Sequence, residues 1–116
     1  MTEEFIKELN ALIIKFQEAG ADYEHHIGQG VSTESVSGKI LRNDIPNKLR
    51  EVFPPEHYKI KGSIGTGRIT KCPWVAIMHK EETVSTQRGV YLVILFSKNL
   101  KYVFIIGSRH NRINIG

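Results

Sequence analysis

The first regular pattern in the chain is helical. From Phe5 onward, apolar residues recur every three or four positions, which places them on one stripe of a helix with charged residues on the other face. Thr2 suits the N-cap of this helix and Gly20 suits its end. The apolar stripe consists of Phe5, Leu9, Leu12, Ile13 and Phe16. The pattern predicts an N-terminal amphipathic helix that covers another layer of structure.

A second, shorter helix is predicted near the middle of the chain. Residues 21–38 contain few large apolar side chains, so we expect a loop there that contributes nothing to the core. Asp44 then stands where it can cap a helix with Pro46 in its first turn, and Pro54 and Pro55 end it. Its apolar face consists of Ile45, Leu49, Val52 and Phe53.

Four β-like segments follow the second helix. They are residues 58–61, which alternate apolar and basic, then 74–78, 90–96 and 101–106. The third segment is apolar almost throughout, which predicts a central strand buried on both faces. Residues 97–99 form a compact turn, typical of an antiparallel hairpin. The sequence predicts an α+β fold, a mostly antiparallel twisted sheet of about four or more strands with the N-terminal helix and the short helix packed on it.

Composition indicates one domain with a positive bias. The 116 residues suit a single domain over 1–116. Lys and Arg number 16 against 12 Asp and Glu, giving a net charge of +4. Acidic residues end at Glu82, and the charged residues after it are Arg88, Lys98, Lys101, Arg109 and Arg112. This asymmetry favours a polyanionic partner such as nucleic acid.

Several classes of protein are disfavoured by the sequence. No apolar run approaches the ~20 residues that a membrane helix needs. The acidic start of the chain is unlike a secretory signal, so we expect a cytoplasmic protein without membrane contact. The lone Cys72 cannot form an internal disulfide, and we expect it half-buried beside Pro73.

Catalytic and cofactor motifs are weak. The glycine turn, residues 62–68, comes near a dinucleotide-binding pattern, but it lacks the third glycine and Pro73 follows where a helix should begin. The five histidines lack ligand spacing, so no metal and no cofactor is predicted. Glu81 and Glu82 are the only late acidic pair, which leaves a small metal-dependent nuclease as an alternative. A protein-interaction or RNA-binding module on the same fold is another.

Three segments in register resemble the family of N-terminal DNA-binding domains of McrB, the subunit that targets modified-cytosine restriction. The segments are residues 58–67 with the glycine turn, residues 72–77 with Pro73 and Trp74, and residues 89–96. A strand like residues 103–107 comes next, and the resemblance covers about half of the chain. Pro73 and Trp74 are expected to be structural, because Trp74 stands inside an apolar strand.

The resemblance implies a domain, not itself an enzyme, that grips duplex DNA and extrudes a 5-methylcytosine into a pocket. Tyr91 matches the aromatic wall of that pocket and Leu95 the aliphatic wall. In an extended strand these residues are about 13 Å apart, so a bulge or twist is required between them. The residues expected to contact the DNA backbone are Lys59, Lys61, Gly65, Thr66, Gly67, Arg68 and Lys71.

The resemblance also implies a place in a modification-dependent restriction system, with a motor or nuclease domain or subunit as partner. Members of this family continue beyond the position of Gly116, so we expect a domain truncated at its C-terminus. Thr66 stands where McrB has an aromatic residue that suits the gap left by a flipped base.

Overall fold

The computed structural model describes residues 2–30, 35–65, 67–80 and 90–107, and for Val90 and Tyr91 it describes the backbone only. The helical elements are α1 (Glu3–Ala19), a 3₁₀ helix (Tyr23–His26), α2 (Val36–Lys39), a π-helical turn (Ile40–Asp44) and α3 (Ile45–Leu49). The strands are β1 (Tyr58–Ser63), β2 (Trp74–His79), β3 (Val90–Phe96) and β4 (Val103–Gly107). All three strand pairings are antiparallel and the sheet order is β1-β2-β3-β4, which confirms the predicted α+β fold.

The sheet has a covered face, which packs against the helices, and an open face. Because side chains alternate along each strand, register assigns every strand residue to one face. The buried residues of the covered face are Ile60, Val75, Ile77, Ile94 and Phe96. The open face carries Lys59, Lys61, Ser63, Trp74, Ala76, Met78, Val93, Leu95, Phe104 and Ile106, of which Ala76 and Met78 are buried.

Helix α1 covers the sheet as its apolar stripe predicts. The Thr2 hydroxyl accepts a hydrogen bond from the Phe5 N–H at 3.1 Å, and the Gly20 N–H closes the last turn on the Phe16 carbonyl. Phe16 meets Phe96 of β3 edge to face, with ring centroids 4.8 Å apart. Both rings are fully buried, so this contact joins the helix to the centre of the sheet.

The second helical segment begins earlier than predicted. Its N-cap is Ser35, whose hydroxyl accepts the Gly38 N–H at 3.1 Å. Helix α3 begins at Ile45 with Pro46 in its first turn, as predicted, but Asp44 has helical backbone angles and makes no capping bond, because the π-helical turn runs directly into α3. The extra turns are held by Ile40 and Leu41, which are buried in the core.

The connection after α1 also contributes to the core, contrary to expectation. Tyr23 is buried and Ile27 packs partly against the same cluster. These two residues pack the segment onto the core, although they leave no periodic signal in the sequence.

Strand β3 lies inside the sheet, between β2 and β4, as predicted. The prediction that it is buried on both faces is wrong: Val93 and Leu95 on the open face are only half-buried. The predicted turn to β4 is present. The Leu100 N–H closes the turn by donating a hydrogen bond to the Ser97 carbonyl. The Leu100 carbonyl accepts a hydrogen bond from the side-chain amide of Gln17 in α1 at 2.7 Å.

Two further expectations concern the surface. Cys72 is exposed rather than half-buried. In the described parts of the chain, no helix has the length and apolar character needed to cross a bilayer.

Candidate nucleic-acid interface

The glycine turn is shaped by the protein's own packing. A Cβ on Gly62 would overlap the Leu41 carbonyl, so this glycine lets β1 pass directly beneath the π-helical turn. A Cβ on Gly65 would overlap the Arg68 carbonyl, and Gly65 has a φ of +128°. Gly67 also has a positive φ, +80°, but nothing lies within 4 Å of its Cβ position. Of these three glycines, only Gly67 has open space that a ligand could approach.

The segment containing the 3₁₀ helix fastens the glycine turn. The Gly28 N–H donates to the Ile69 carbonyl at 2.9 Å, and the Ile69 N–H donates to the Gln29 carbonyl at 2.8 Å. The Tyr23 hydroxyl donates to the Thr70 carbonyl at 2.7 Å. Burial, and secondarily the proximity of Cys72, raises the pKa of the Tyr23 phenol well above its usual range. The Tyr23 phenol therefore stays a donor even in mildly alkaline solution, and these three hydrogen bonds fasten the residues that follow the glycine turn.

The basic residues predicted to contact DNA are exposed. Lys59 and Lys61 both lie on the open-face side of β1, and Lys71 follows the glycine turn. Ion pairs within the described residues engage Lys48 with Glu8 and Glu51, and Lys98 with Glu24. None of them involves Lys59, Lys61 or Lys71, so these three ammonium groups are not neutralised by a described carboxylate.

Arg68 has a structural contact as well as a surface position. Its Nη1 donates to the Gly28 carbonyl at 2.9 Å, which ties the glycine turn to the preceding segment. Its side chain is exposed, and a guanidinium has five N–H donors, so this bond leaves others for an anion. Thr66, the neighbouring predicted contact, lies outside the described residues.

Register places Leu95 between two aromatic residues on the open face. Leu95 of β3 is directly opposite Trp74 of β2 on one side and Phe104 of β4 on the other. Cross-strand neighbours of this kind have Cβ atoms about 4.5–5.5 Å apart. Trp74 and Leu95 are half-buried, and Phe104 is 52% exposed. We call Trp74, Leu95 and Phe104 the aromatic row.

The aromatic row lies at the end of the sheet that leads into the glycine turn. Ser63, the last residue of β1, is opposite Trp74, and the glycine turn continues from it. Pro73 is buried, and its carbonyl accepts the Phe96 N–H at 2.9 Å, which fixes the start of β2. Trp74 packs beside the small cluster formed by Ala76 and Met78. The glycine turn and the aromatic row are thus connected through the packed backbone of Pro73 and Trp74.

Tyr91 lies towards the other end of β3. Ile77 pairs with Leu92 and Met78 with Val90, so Tyr91 has no partner in β2 and forms a bulge. The bulge distorts β3 at Tyr91 itself, whereas the residues from Leu92 to Leu95 keep a regular register with β2 and β4. Register brings Trp74 and Phe104, rather than Tyr91, directly opposite Leu95. The Tyr91 side chain lies outside what the structure describes, and its pairing with Leu95 stays a prediction.

Phe104 was not singled out by sequence reasoning. Six aromatic residues lie near the basic charges, and the sequence does not tell which of them share a face. Phe96 is buried on the covered face, and Tyr58 stacks edge to face on His79. The missing signal was register, which alone puts Phe104 beside Leu95.

A cleft of about 620 Å³ opens elsewhere, between the end of α1, the 3₁₀ helix and the start of α2. Ile64 and Ile69 form its apolar wall, and its carboxylates come from Glu18 and Asp22. These negative charges disfavour a phosphate ligand there. Within the described residues, no group of three or more His, Cys, Asp or Glu side chains could hold a metal ion. Glu81 and Glu82, the proposed acidic pair, lie outside those residues.

These features define a small α+β domain whose antiparallel sheet is covered by helices on one face and carries lysines and aromatic side chains on the other. The chain matches the family described as "MrcB-like, N-terminal domain" over residues 20–106. It therefore belongs to this family, and the resemblance noted in the sequence is confirmed. No curated protein and no solved structure matches the chain significantly. The matched region includes the glycine turn and the aromatic row.

Proposed function

We propose that this chain is a DNA-binding specificity module that recognises 5-methylcytosine in duplex DNA by base flipping, within a modification-dependent restriction system. Its membership of the MrcB-like N-terminal family supports this class of function. The observation that carries the proposal is the open face, where lysines of β1 that no described carboxylate neutralises share a surface with the aromatic row. The domain binds, and cleavage belongs to a partner motor or nuclease domain or subunit.

The two parts of the open face serve different steps of recognition. Lys59 and Lys61, with Arg68 and Lys71 near the glycine turn, neutralise phosphates and release counterions, which gives affinity without sequence information. Flipping a base costs a few kcal/mol, and stacking on an aromatic ring recovers about 1–3 kcal/mol per base. Leu95 between two aromatic residues offers an apolar wall for the 5-methyl group.

The direct test compares two duplexes of one sequence, one with 5-methylcytosine and one with cytosine, at several salt concentrations. We expect tighter binding of the methylated duplex. A 2-aminopurine placed next to the target cytosine should become more fluorescent on binding of the methylated duplex, because extrusion of the neighbouring base removes its stacking partner. Equal affinity for both duplexes together with unchanged fluorescence would contradict the proposal.

Substitutions separate backbone contact from base recognition. Lys61→Ala should weaken binding to both duplexes equally and reduce the slope of log K against log salt by about 0.9. Lys15→Ala removes the same charge from the exposed side of α1 and should leave the slope unchanged. If Lys15→Ala and Lys61→Ala have the same effect, only net charge matters and the open face is not the phosphate contact.

Base recognition is tested at the aromatic row. Phe104→Ala should weaken binding to the methylated duplex by roughly 5- to 150-fold, the equivalent of 1–3 kcal/mol, with a smaller loss for the unmethylated duplex. Ile14→Ala is the control, since Ile14 is 52% exposed on α1, away from the sheet. Tyr91→Ala tests the other candidate wall. If neither Phe104→Ala nor Tyr91→Ala alters discrimination, base flipping should be abandoned.

The same measurements distinguish the alternative functions. Metal-dependent cleavage by the isolated chain, lost in a Glu81→Gln or Glu82→Gln variant, would indicate a small nuclease. Tighter binding to RNA than to either duplex would indicate an RNA-binding module on the same fold.

A further inference from the structure

The two edges of the sheet differ in how they meet solvent. Strand β4 forms one edge, and no described residue pairs with its outer side. Its large apolar side chains are exposed on both faces: Phe104 by 52%, Ile105 by 65% and Ile106 by 47%. Ile105 lies on the covered-face side, so the helical layer leaves β4 uncovered. No charged residue and no proline interrupts Val103–Gly107.

Strand β1, the other edge, is protected. Lys59 and Lys61 are exposed on it, and Gly62 lies beneath the π-helical turn. Lysines are a common device against edge-to-edge pairing, because a second copy would place like charges together. Strand β4 lacks this device, although an exposed apolar edge is a template for strand addition.

We infer that β4 is a dimerisation edge, which pairs antiparallel with β4 of a second copy of this chain. A two-fold axis at Ile105 brings all five residues of the strand into register. Ile105 then faces its own copy, Phe104 faces Ile106, and Val103 faces Gly107. Every pair is apolar or glycine, and each pair joins side chains on the same face. The two sheets become one of eight strands, with all helices on one side.

Charge favours a second copy as the occupant. Because β4 is uncharged, self-pairing creates no repulsion within the strand, whereas β1 paired with itself would oppose lysines. The exposed parts of Tyr102, Phe104, Ile105 and Ile106 amount to about 400 Å² per copy, taking 150–250 Å² for an aromatic side chain. Edge-to-edge pairing covers only the outward part of these side chains, so the dimer buries less than about 800 Å² in total, below the size of a standard interface, and it is therefore weak.

The proposed dimer does not depend on DNA binding. The lysines and the aromatic row stay exposed on the open face when two sheets join edge to edge. Failure of the DNA experiments would therefore leave the dimer intact, and loss of the dimer would leave the test of methylated DNA unaffected.

Sedimentation of the full chain over a concentration series tests the oligomeric state. We expect a reversible dimer in the parent and at least a tenfold increase in Kd in Ile105→Lys, which places two ammonium groups directly opposite each other. Ile14→Lys introduces the same charge on an exposed position of α1 and should dimerise like the parent. A parent that remains monomeric up to about 1 mM, or an Ile105→Lys variant that still dimerises normally, would overturn the proposal.

Cross-linking tests the register. In a Cys72→Ser background, Ile105→Cys should form a disulfide-linked dimer under mild oxidation, because opposed strand residues have Cα atoms about 4.5–5.5 Å apart, within disulfide range. Ile14→Cys in the same background is the control. Absence of a cross-link at position 105, or equal cross-linking at position 14, would rule out the two-fold pairing at Ile105.

Discussion

The two faces of the sheet are built from alternate residues of the same strands, yet they have opposite properties. On the covered face, Val75 and Phe96 are fully buried against the helices. On the open face, Phe104 is 52% exposed and Lys61 faces solvent. The covered face removes apolar area from water and so stabilises the fold. Apart from the buried Ala76 and Met78, the open face leaves apolar and basic groups in contact with water, which a ligand can displace.

Neighbouring residues of β3 show how sharply these roles divide. Ile94 and Phe96 are buried with the helices, whereas Val93 and Leu95 are half-buried on the other side. A shift of one position along the chain therefore exchanges a stabilising site for a candidate binding site. Substitutions at adjacent positions can test whether stability and binding are separable.

The largest effect is expected from Phe96→Ala. Loss of the ring that meets Phe16 should lower the free energy of unfolding by about 3–5 kcal/mol, because it removes buried area and leaves a cavity. Leu95→Ala, one position away, should cost only about 1 kcal/mol, since part of its side chain already contacts water. Urea unfolding of both variants measures the difference. Equal losses would show that the open face is as much a core as the covered face.

A second comparison involves two glycines, Gly62 near the end of β1 and Gly67 in the glycine turn that follows it. Gly62→Ala forces a methyl group against the Leu41 carbonyl and should cost about 3 kcal/mol or more. Gly67→Ala has open space and should cost about 1–2 kcal/mol, the penalty of its φ of +80° for an alanine. Unfolding measurements give both values. If Gly67→Ala is the more damaging, the turn is constrained by contacts other than the one beneath the π-helical turn.

The fold could be predicted wherever apolar residues recur regularly. The stripe on α1 and the apolar runs of β2 and β3 gave the correct elements, because burial on a helix or strand imposes a period. The start of α3 was predicted from Asp44 and Pro46, but the helical turns before it were missed, because Ser35 caps a segment whose π-helical turn breaks the ordinary period. Tyr23 was missed because a single buried residue has no period.

The candidate site was predictable in composition but not in arrangement. The lysines beside the glycine turn are exposed as expected, since charged residues alternate with apolar ones along β1. The packing roles of Gly62 and Gly65 depend on Leu41 and Arg68, whose positions only the tertiary structure reveals. Likewise, the position of Phe104 beside Leu95 follows from the register of β3 with β4, which the sequence of either strand does not determine.

The smallest expected effect concerns Tyr23. Its ring lies in the core and its hydroxyl bonds to Thr70, just after the glycine turn. Tyr23→Phe removes the hydrogen bond to the Thr70 carbonyl and should cost about 1 kcal/mol at neutral pH. Because the ring stays in the core, the helices and the sheet should remain intact. Circular dichroism checks this, and urea unfolding gives the loss.

The pH dependence of that loss identifies the phenol as its cause. Burial raises the pKa of Tyr23 in the folded state above the usual 10.0. The stabilisation is therefore fully present below pH 10 and declines as the pH rises towards the folded pKa, by about 1.4 kcal/mol per pH unit. The phenylalanine variant lacks this titration, so the unfolding free energies of parent and variant should converge between pH 10 and 11. A constant difference across this range would mean that folding does not raise the pKa of Tyr23.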